Sequence, residues 1–140
     1  MGVKKQIRDY GKLIFYPVLA EIGKLRYGRG ELKDQVVFSA FWGRQYGDNP
    51  RAISEKLHEL HPEIPQIWLY RGDPANIPAY VEVVPWTINN VQKVLYSSKV
   101  WVDSHTKPRY INKRKGQYYI YTWHGGLSFK KLEADVANFH

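Results

Sequence analysis

At 140 residues the chain is long enough for one domain with a buried core and too short for two. It has no cysteine, which excludes disulfides and thiolate metal sites, and its 44% hydrophobic and 24% charged residues suit a globular chain. Lysine and arginine number 21 against 13 acidic residues, so the charge of +8 favours partners that carry phosphate groups, anionic lipid or nucleic acid.

Residues 3–30 read as helical. Ile7, Tyr10, Ile14, Val18, Ile22 and Leu25 recur at steps of three and four and share one stripe. Lys4, Lys5, Arg8, Lys12, Lys24, Arg26 and Arg29 fall mostly off it. Pro17 is expected to divide the segment into two helices, sitting in the first turn of the second. The apolar run 13–20 is far below the roughly 20 residues of a membrane-spanning helix, and no secretory signal is evident. A basic amphipathic segment of this kind suits an anionic membrane surface, each cation being worth about 1 kcal/mol there; the alternative is that its stripe packs on a sheet. Residues 27–35 read as a linker, so 1–35 form a leader and linker and 36–140 a domain.

From residue 36 the period changes. "VVFSAF" (36–41) reads as a buried strand and "WGRQYGD" as a loop. "NPRAISEKLHEL" opens a helix with Asn49 as its N-cap and Pro50 at the first position. Strands follow at 65–71 and 79–86, then a helix capped by Thr87 with Ile88, Val91, Val94 and Leu95 as its apolar stripe. Further strands are expected at 99–104 and 117–124, and the start of a closing helix at 128–140. Short apolar strands alternating with helices predict a Rossmann-like open parallel sheet of the α/β class. Ligands in such sheets sit beyond the carboxyl ends of the strands, which selects the loops at 42–49, 71–76, 86–89, 103–110 and 124–128.

His124, Gly125 and Gly126 stand where a strand hands over to a helix. Glycines there let the backbone approach a ligand, the helix start offers N–H groups to an anion, and a histidine takes a proton near neutral pH. The alternative is a histidine bonded to a loop carbonyl beside a helix cap. Lys107, Arg109 and Arg114, in the basic stretch 105–117, match phosphate, although such runs are also commonly solvated loops. "GRQYGDNP" (43–50) would cradle an anion or serve as a plain strand-to-helix turn. His58 and His61 lack the third ligand of a metal site, so no metal is expected, and Asp103 and His105 flank a strand end where they would assist a base.

Several blocks taken together resemble the CDP-glycerol glycerophosphotransferases, the teichoic acid polymerases, primases and their capsule-making relatives. They are "VVFSAFWGRQYGDNPRAISEKL", "KVWVDSHTKPRYINKRKGQYYIYTWHGG" and the trailing "KKLEAD", in the same order over residues 36–137. The resemblance implies the N-terminal, acceptor-side half of a two-domain glycosyltransferase fold of the B type. It also implies transfer of glycerol phosphate, or a related polyol phosphate, from CDP-glycerol to a lipid-linked acceptor at the cytoplasmic face of the membrane. No cofactor is implied. His124 would be the base, with Gly125 and Gly126 leaving room for phosphate, and Gly43, Tyr46, Asp48 and Asn49 would shape the cleft. Gly126 departs from the threonine of many relatives. The donor-binding groups and a second histidine belong to a C-terminal domain that the sequence does not contain, so CDP-glycerol is expected only with that domain, and the chain alone is expected to be inactive. Two other readings are a non-catalytic membrane- or protein-association module and, ranked last for want of a motif, a nucleic-acid binder.

Overall fold

The computed structural model describes residues 3–123, with side chains from residue 11 onward. The chain runs α1 (Val3–Tyr27), β1 (Lys33–Ser39), α2 (Asp48–Leu60), β2 (Gln66–Tyr70), β3 (Val81–Pro85), α3 (Ile88–Ser97), β4 (Ser98–Asp103) and β5 (Tyr118–Tyr121). Short 3-10 turns occupy Phe41–Gly43 and Pro74–Asn76. The strands form one sheet in the order β3-β2-β1-β4-β5, and every neighbouring pair is parallel. This is the Rossmann-like open parallel sheet that the alternation of short apolar runs and helices predicts. Strand order reverses between β1 and β4, so the crevice favoured for ligands lies at their carboxyl ends, beyond Ser39 and Asp103.

Both faces of the sheet are covered, which is why the central strands are apolar at consecutive positions. Val37, Ile67, Leu69 and Trp101 point to one face and pack with Val91, Leu95 and Tyr96 of α3. Val36, Phe38, Trp68 and Val102 point to the other, toward Tyr46 and Leu57. Phe38 and Trp68 stack at 5.8 Å, and the ring of Tyr46 meets Trp68 edge-on at 4.6 Å. α3 begins as predicted, with Thr87 Oγ1 accepting from the Asn90 N–H at 3.1 Å. β1 starts three residues earlier than expected, at Lys33, which pairs with Ser98 of β4 across a register shift before Val36.

α1 differs more. The chain stays helical through Pro17 instead of dividing there. Proline removes the N–H that would reach the Leu13 carbonyl, a local penalty of about 3 kcal/mol in a helix interior. Packing beside and beyond Pro17 offsets it. Tyr16, Leu19 and Tyr27 join the α3-side core and Ala20 is fully buried. Gly23 lies so close to Gln92 that a Cβ there would stand 2.4 Å from its amide carbon. Tyr96 donates to the Ala20 carbonyl at 2.8 Å, and Gln92 Nε2 donates to the Leu19 carbonyl at 2.7 Å. The docked face is therefore 16-19-20-23-27. The predicted stripe points the other way: Ile14, Val18, Ile22 and Leu25 are 52–70% exposed. α1 thus has two apolar faces, and the one that meets α3 is built from Tyr16, Leu19, Ala20, Gly23 and Tyr27.

Burial pushes the phenols of Tyr46, Tyr96, Tyr110 and Tyr119 above the ordinary tyrosine range. A raised folded-state pKa means that the unfolded chain loses these protons first. Stability from these groups is fully present below about pH 10 and declines as pH rises beyond it. Melting temperature is expected to hold up to that point and then fall, with tyrosinate absorbance rising in step with loss of circular dichroism. Tyrosinate that forms completely before unfolding would refute this.

Candidate functional site

The carboxyl end of β1 runs into a left-handed turn. Phe41, Trp42 and Gly43 have φ of 49°, 53° and 78°. Two bulky residues in that region cost roughly 1–2 kcal/mol each, and such strain persists only where surroundings over-determine it. Here the Gly43 N–H bonds the Ala40 carbonyl at 3.0 Å and the Arg71 N–H bonds the Gly43 carbonyl at 2.7 Å. Arg71 Nε donates to the Trp42 carbonyl at 2.8 Å, and the rings of Phe41 and Trp42 lie 4.7 and 4.2 Å from that of buried His105. Gly43 is required for space as well as for φ, since a Cβ would fall 2.5 Å from Trp86 Cε3 and 3.1 Å from the Leu69 carbonyl oxygen. Gly43→Ala is expected to cost about 2–3 kcal/mol from the left-handed backbone and the overlap combined. Urea denaturation measures this, and a loss under 1 kcal/mol would show that the turn relaxes freely.

At the end of β4, Asp103 organises a buried polar cluster at the point where strand order reverses. Its side chain is fully enclosed and accepts from Ser39 Oγ at 2.6 Å, Lys107 Nζ at 2.8 Å and the His105 N–H at 3.0 Å. Lys107 is only 7% exposed and also lies over the Tyr119 ring, 5.7 Å from its centre. Burial pushes the Lys107 ammonium below the usual lysine range, and the Asp103 carboxylate opposes that shift. The backbone carbonyl of Asp103 accepts from the Thr122 N–H at 2.8 Å, joining this cluster to the end of β5.

The N-terminus of α2 reaches the same strand end. Asn49 is expected to be the N-cap; instead the helix begins at Asp48, which has φ of 59°, and Gly47 precedes it without a side-chain cap bond. The Asn49 amide is used elsewhere, donating to the carbonyls of Thr122 and Trp123 at 3.3 Å each. Thr122 and Trp123 immediately precede His124 in the chain. His124, Gly125, Gly126 and the expected closing helix lie outside the described residues.

Between α1 and the carboxyl ends of the strands lies a cleft of about 420 Å³. Arg44, Arg71 and Arg109 line it, with Trp42, Trp86 and Tyr110 as aromatic walls. Arg71 is oriented from two sides, by its bond to the Trp42 carbonyl and by its guanidinium lying 5.1 Å from the centre of the Trp86 ring. Each residue follows a strand directly or by a short loop, so the carboxyl-end rule selects the whole set.

The predicted residues therefore separate. Gly43, Asp48 and Asn49 lie at the carboxyl edge, and Tyr46 packs in the α2-side core close to them. Of the three predicted cationic phosphate ligands only Arg109 faces this cleft. Lys107 is turned inward onto Asp103. Arg114 sits beside the amino end of β4, its guanidinium donating to the Tyr96 and Gly30 carbonyls at 2.7 Å each, where it ties the linker to α3. The sequence reading missed Ser39, Arg71 and Trp86. Arg71 and Trp86 stand first in loops that the reading had selected, so asking which basic and aromatic residues lead those loops would have found them. Among the described residues no group of acidic or histidine side chains is arranged to hold a metal ion. His58 instead stacks on Tyr80 at 3.7 Å.

Residues 25–140 match the family described as CDP-glycerol:poly(glycerophosphate) glycerophosphotransferase. The chain belongs to that family. It is 31% identical over 102 residues to the teichoic acid poly(glycerol phosphate) polymerase of Staphylococcus epidermidis, covering 72% of this chain. It is 32% identical over 108 residues to the polymerase of the same name from Bacillus subtilis, covering 75%. The chain spans only 14% of the length of either relative. Its fold is similar to a solved variant of the wall teichoic acid polymerase TagF, with a TM-score of 0.73 and 26% identity over 94% of this chain and 33% of that one. The family match covers the whole carboxyl edge described above, from the turn after β1 to the residues following β5.

Proposed function

We propose that this chain is the acceptor-side part of a glycerophosphotransferase that moves glycerol phosphate, or a related polyol phosphate, from CDP-glycerol to a lipid-linked acceptor in teichoic acid or capsule synthesis. In this reading an imidazole nitrogen of His124 takes the proton of the acceptor's terminal hydroxyl. The freed oxygen attacks the phosphorus that bears the glycerol, and the bond from that phosphorus to the CMP oxygen breaks. CDP-glycerol is held with the help of a donor-binding domain, and the chain alone does not turn over. The observation that carries the proposal is the double anchoring of the strand end before His124. Thr122 is bonded to Asp103 and, with Trp123, to Asn49, inside a segment that matches the family throughout. Such anchoring would let a base be presented at a fixed position beside the switch-point crevice.

The same reading places the protein peripherally at the cytoplasmic face of the membrane. No helix of the described residues is long and apolar enough to cross a bilayer. The exposed Ile14–Val18–Ile22–Leu25 face of α1, flanked by Lys12, Lys24 and Arg26, fits shallow insertion among anionic headgroups instead. The experiment is CMP release from CDP-glycerol by the full-length protein on a lipid-linked acceptor, compared with His124→Ala. Full turnover in the variant would remove His124 from the role of base.

A further inference from the structure

The cleft beside α1 brings three guanidinium groups together, and none of the residues lining it is acidic. Arg44 and Arg109 are exposed and belong to no ion pair among the described residues. Convergent like charges repel, and the repulsion is relieved when an anion bridges them. Arg71 is already oriented on Trp42 and Trp86, so little of its freedom remains to be lost on binding. The uncharged part of the wall is flat and aromatic, which suits the CH faces of a polyol between phosphates. A second cavity of about 440 Å³ shares Tyr16, Pro108 and Arg109 with the first and continues along α1 to Lys12 and Leu13. It leads from the arginines along the part of α1 around Pro17, where Leu13 is 58% exposed.

We propose that this paired cleft is a glycerol phosphodiester site: Arg44, Arg71 and Arg109 hold successive phosphates, and Trp42, Trp86 and Tyr16 hold the glycerol between them. The inference deepens the proposed function by giving the acceptor's phosphodiester a place, and it rests on that reading for the identity of the ligand. The chemistry itself is shared by a soluble poly(glycerol phosphate) chain and by a phosphatidylglycerol headgroup.

Tryptophan fluorescence of the full-length protein tests it, because Trp42 and Trp86 line the cleft. A soluble glycerol phosphate oligomer is expected to change the emission saturably, with affinity that falls as salt rises. Arg44→Ala and Arg109→Ala, both at exposed positions, should each weaken binding about ten-fold, the loss expected for one charge-assisted bond. Arg71→Lys keeps charge at the oriented position but loses the planar fork, and should weaken binding by a similar factor. Vesicles of phosphatidylcholine with and without phosphatidylglycerol form the second arm. Arginine-dependent binding of the oligomer upholds the site and makes the acceptor chain its ligand; arginine-dependent binding confined to phosphatidylglycerol vesicles upholds the site with a lipid headgroup as ligand. Oligomer and vesicle binding that are both indifferent to all three substitutions overturn it, as does inorganic phosphate competing as strongly as the oligomer. Turnover of His124→Ala reads the base and arginine-dependent oligomer binding reads the cleft, so a failed base assignment and a failed cleft give different results.

Discussion

Asp103→Ala is expected to destabilise the fold by about 3–5 kcal/mol, the cost of removing one partner from a buried ion pair. The carboxylate accepts three bonds, and truncating it leaves the Lys107 ammonium and the His105 N–H enclosed with their partner gone. Ser39 Oγ, 3.3 Å from Lys107 Nζ, and the Tyr119 ring remain as weak substitutes. The deficit should depend on pH with a definite sign. Burial already lowers the folded-state pKa of Lys107, and Asp103 is the influence that raises it. Without Asp103 that pKa drops further below the unfolded value near 10.4, so the charged fold is penalised at neutral pH. The penalty is relieved as pH rises from the folded toward the unfolded value, and the variant should recover stability relative to the wild type over that window. Lys107→Met in the Asp103→Ala background should restore about 1–3 kcal/mol, because it removes the stranded charge. Urea denaturation of the two single variants and the double variant measures the coupling. Additive effects within a few tenths of a kcal/mol would show that the pair does not act as a unit.

His124→Ala is expected to lower turnover by the full-length enzyme about 10²- to 10⁴-fold, the usual contribution of a positioned general base. The Michaelis constant for CDP-glycerol should change little, since in the proposed function the base meets the acceptor and not the donor. The base must be neutral to accept a proton, so wild-type turnover should fall as acid protonates it. That acid limb should vanish from whatever residual rate the variant retains. A variant with the same acid limb and only a modest rate loss would assign the proton transfer to another group. Asn49→Ala offers a milder comparison: it releases the carbonyls of Thr122 and Trp123 and keeps the histidine in the chain, so its effect reads positioning.

The strands were legible because their burial is two-sided. The runs 36–41 and 65–71 carry uninterrupted apolar stretches at 36–38 and 67–69, and the observed β1 and β2 differ from the runs by a few terminal residues. The Thr87 cap was legible because a hydroxyl three residues before an amide forms its bond locally. Asn49 looked equivalent by the same local rule, yet its amide serves the two residues just after β5, more than seventy positions later. Pro17 misled for a related reason. Its local penalty is real, and contacts with α3, far along the chain, outweigh it.

Order and composition alone determined the α/β class, the family resemblance, and the loops where a ligand would sit, because strand periodicity and loop position follow from neighbours along the chain. Tertiary structure decided which charges in those loops are available. Lys107, Arg109 and Arg114 stand within eight positions of one another, yet one is buried on a carboxylate, one faces the cleft, and one clamps a linker at the amino end of β4. It likewise decided which face of α1 meets the core and which remains exposed. A basic side chain is worth what its surroundings make it, and those surroundings are assembled from segments that no local pattern brings together.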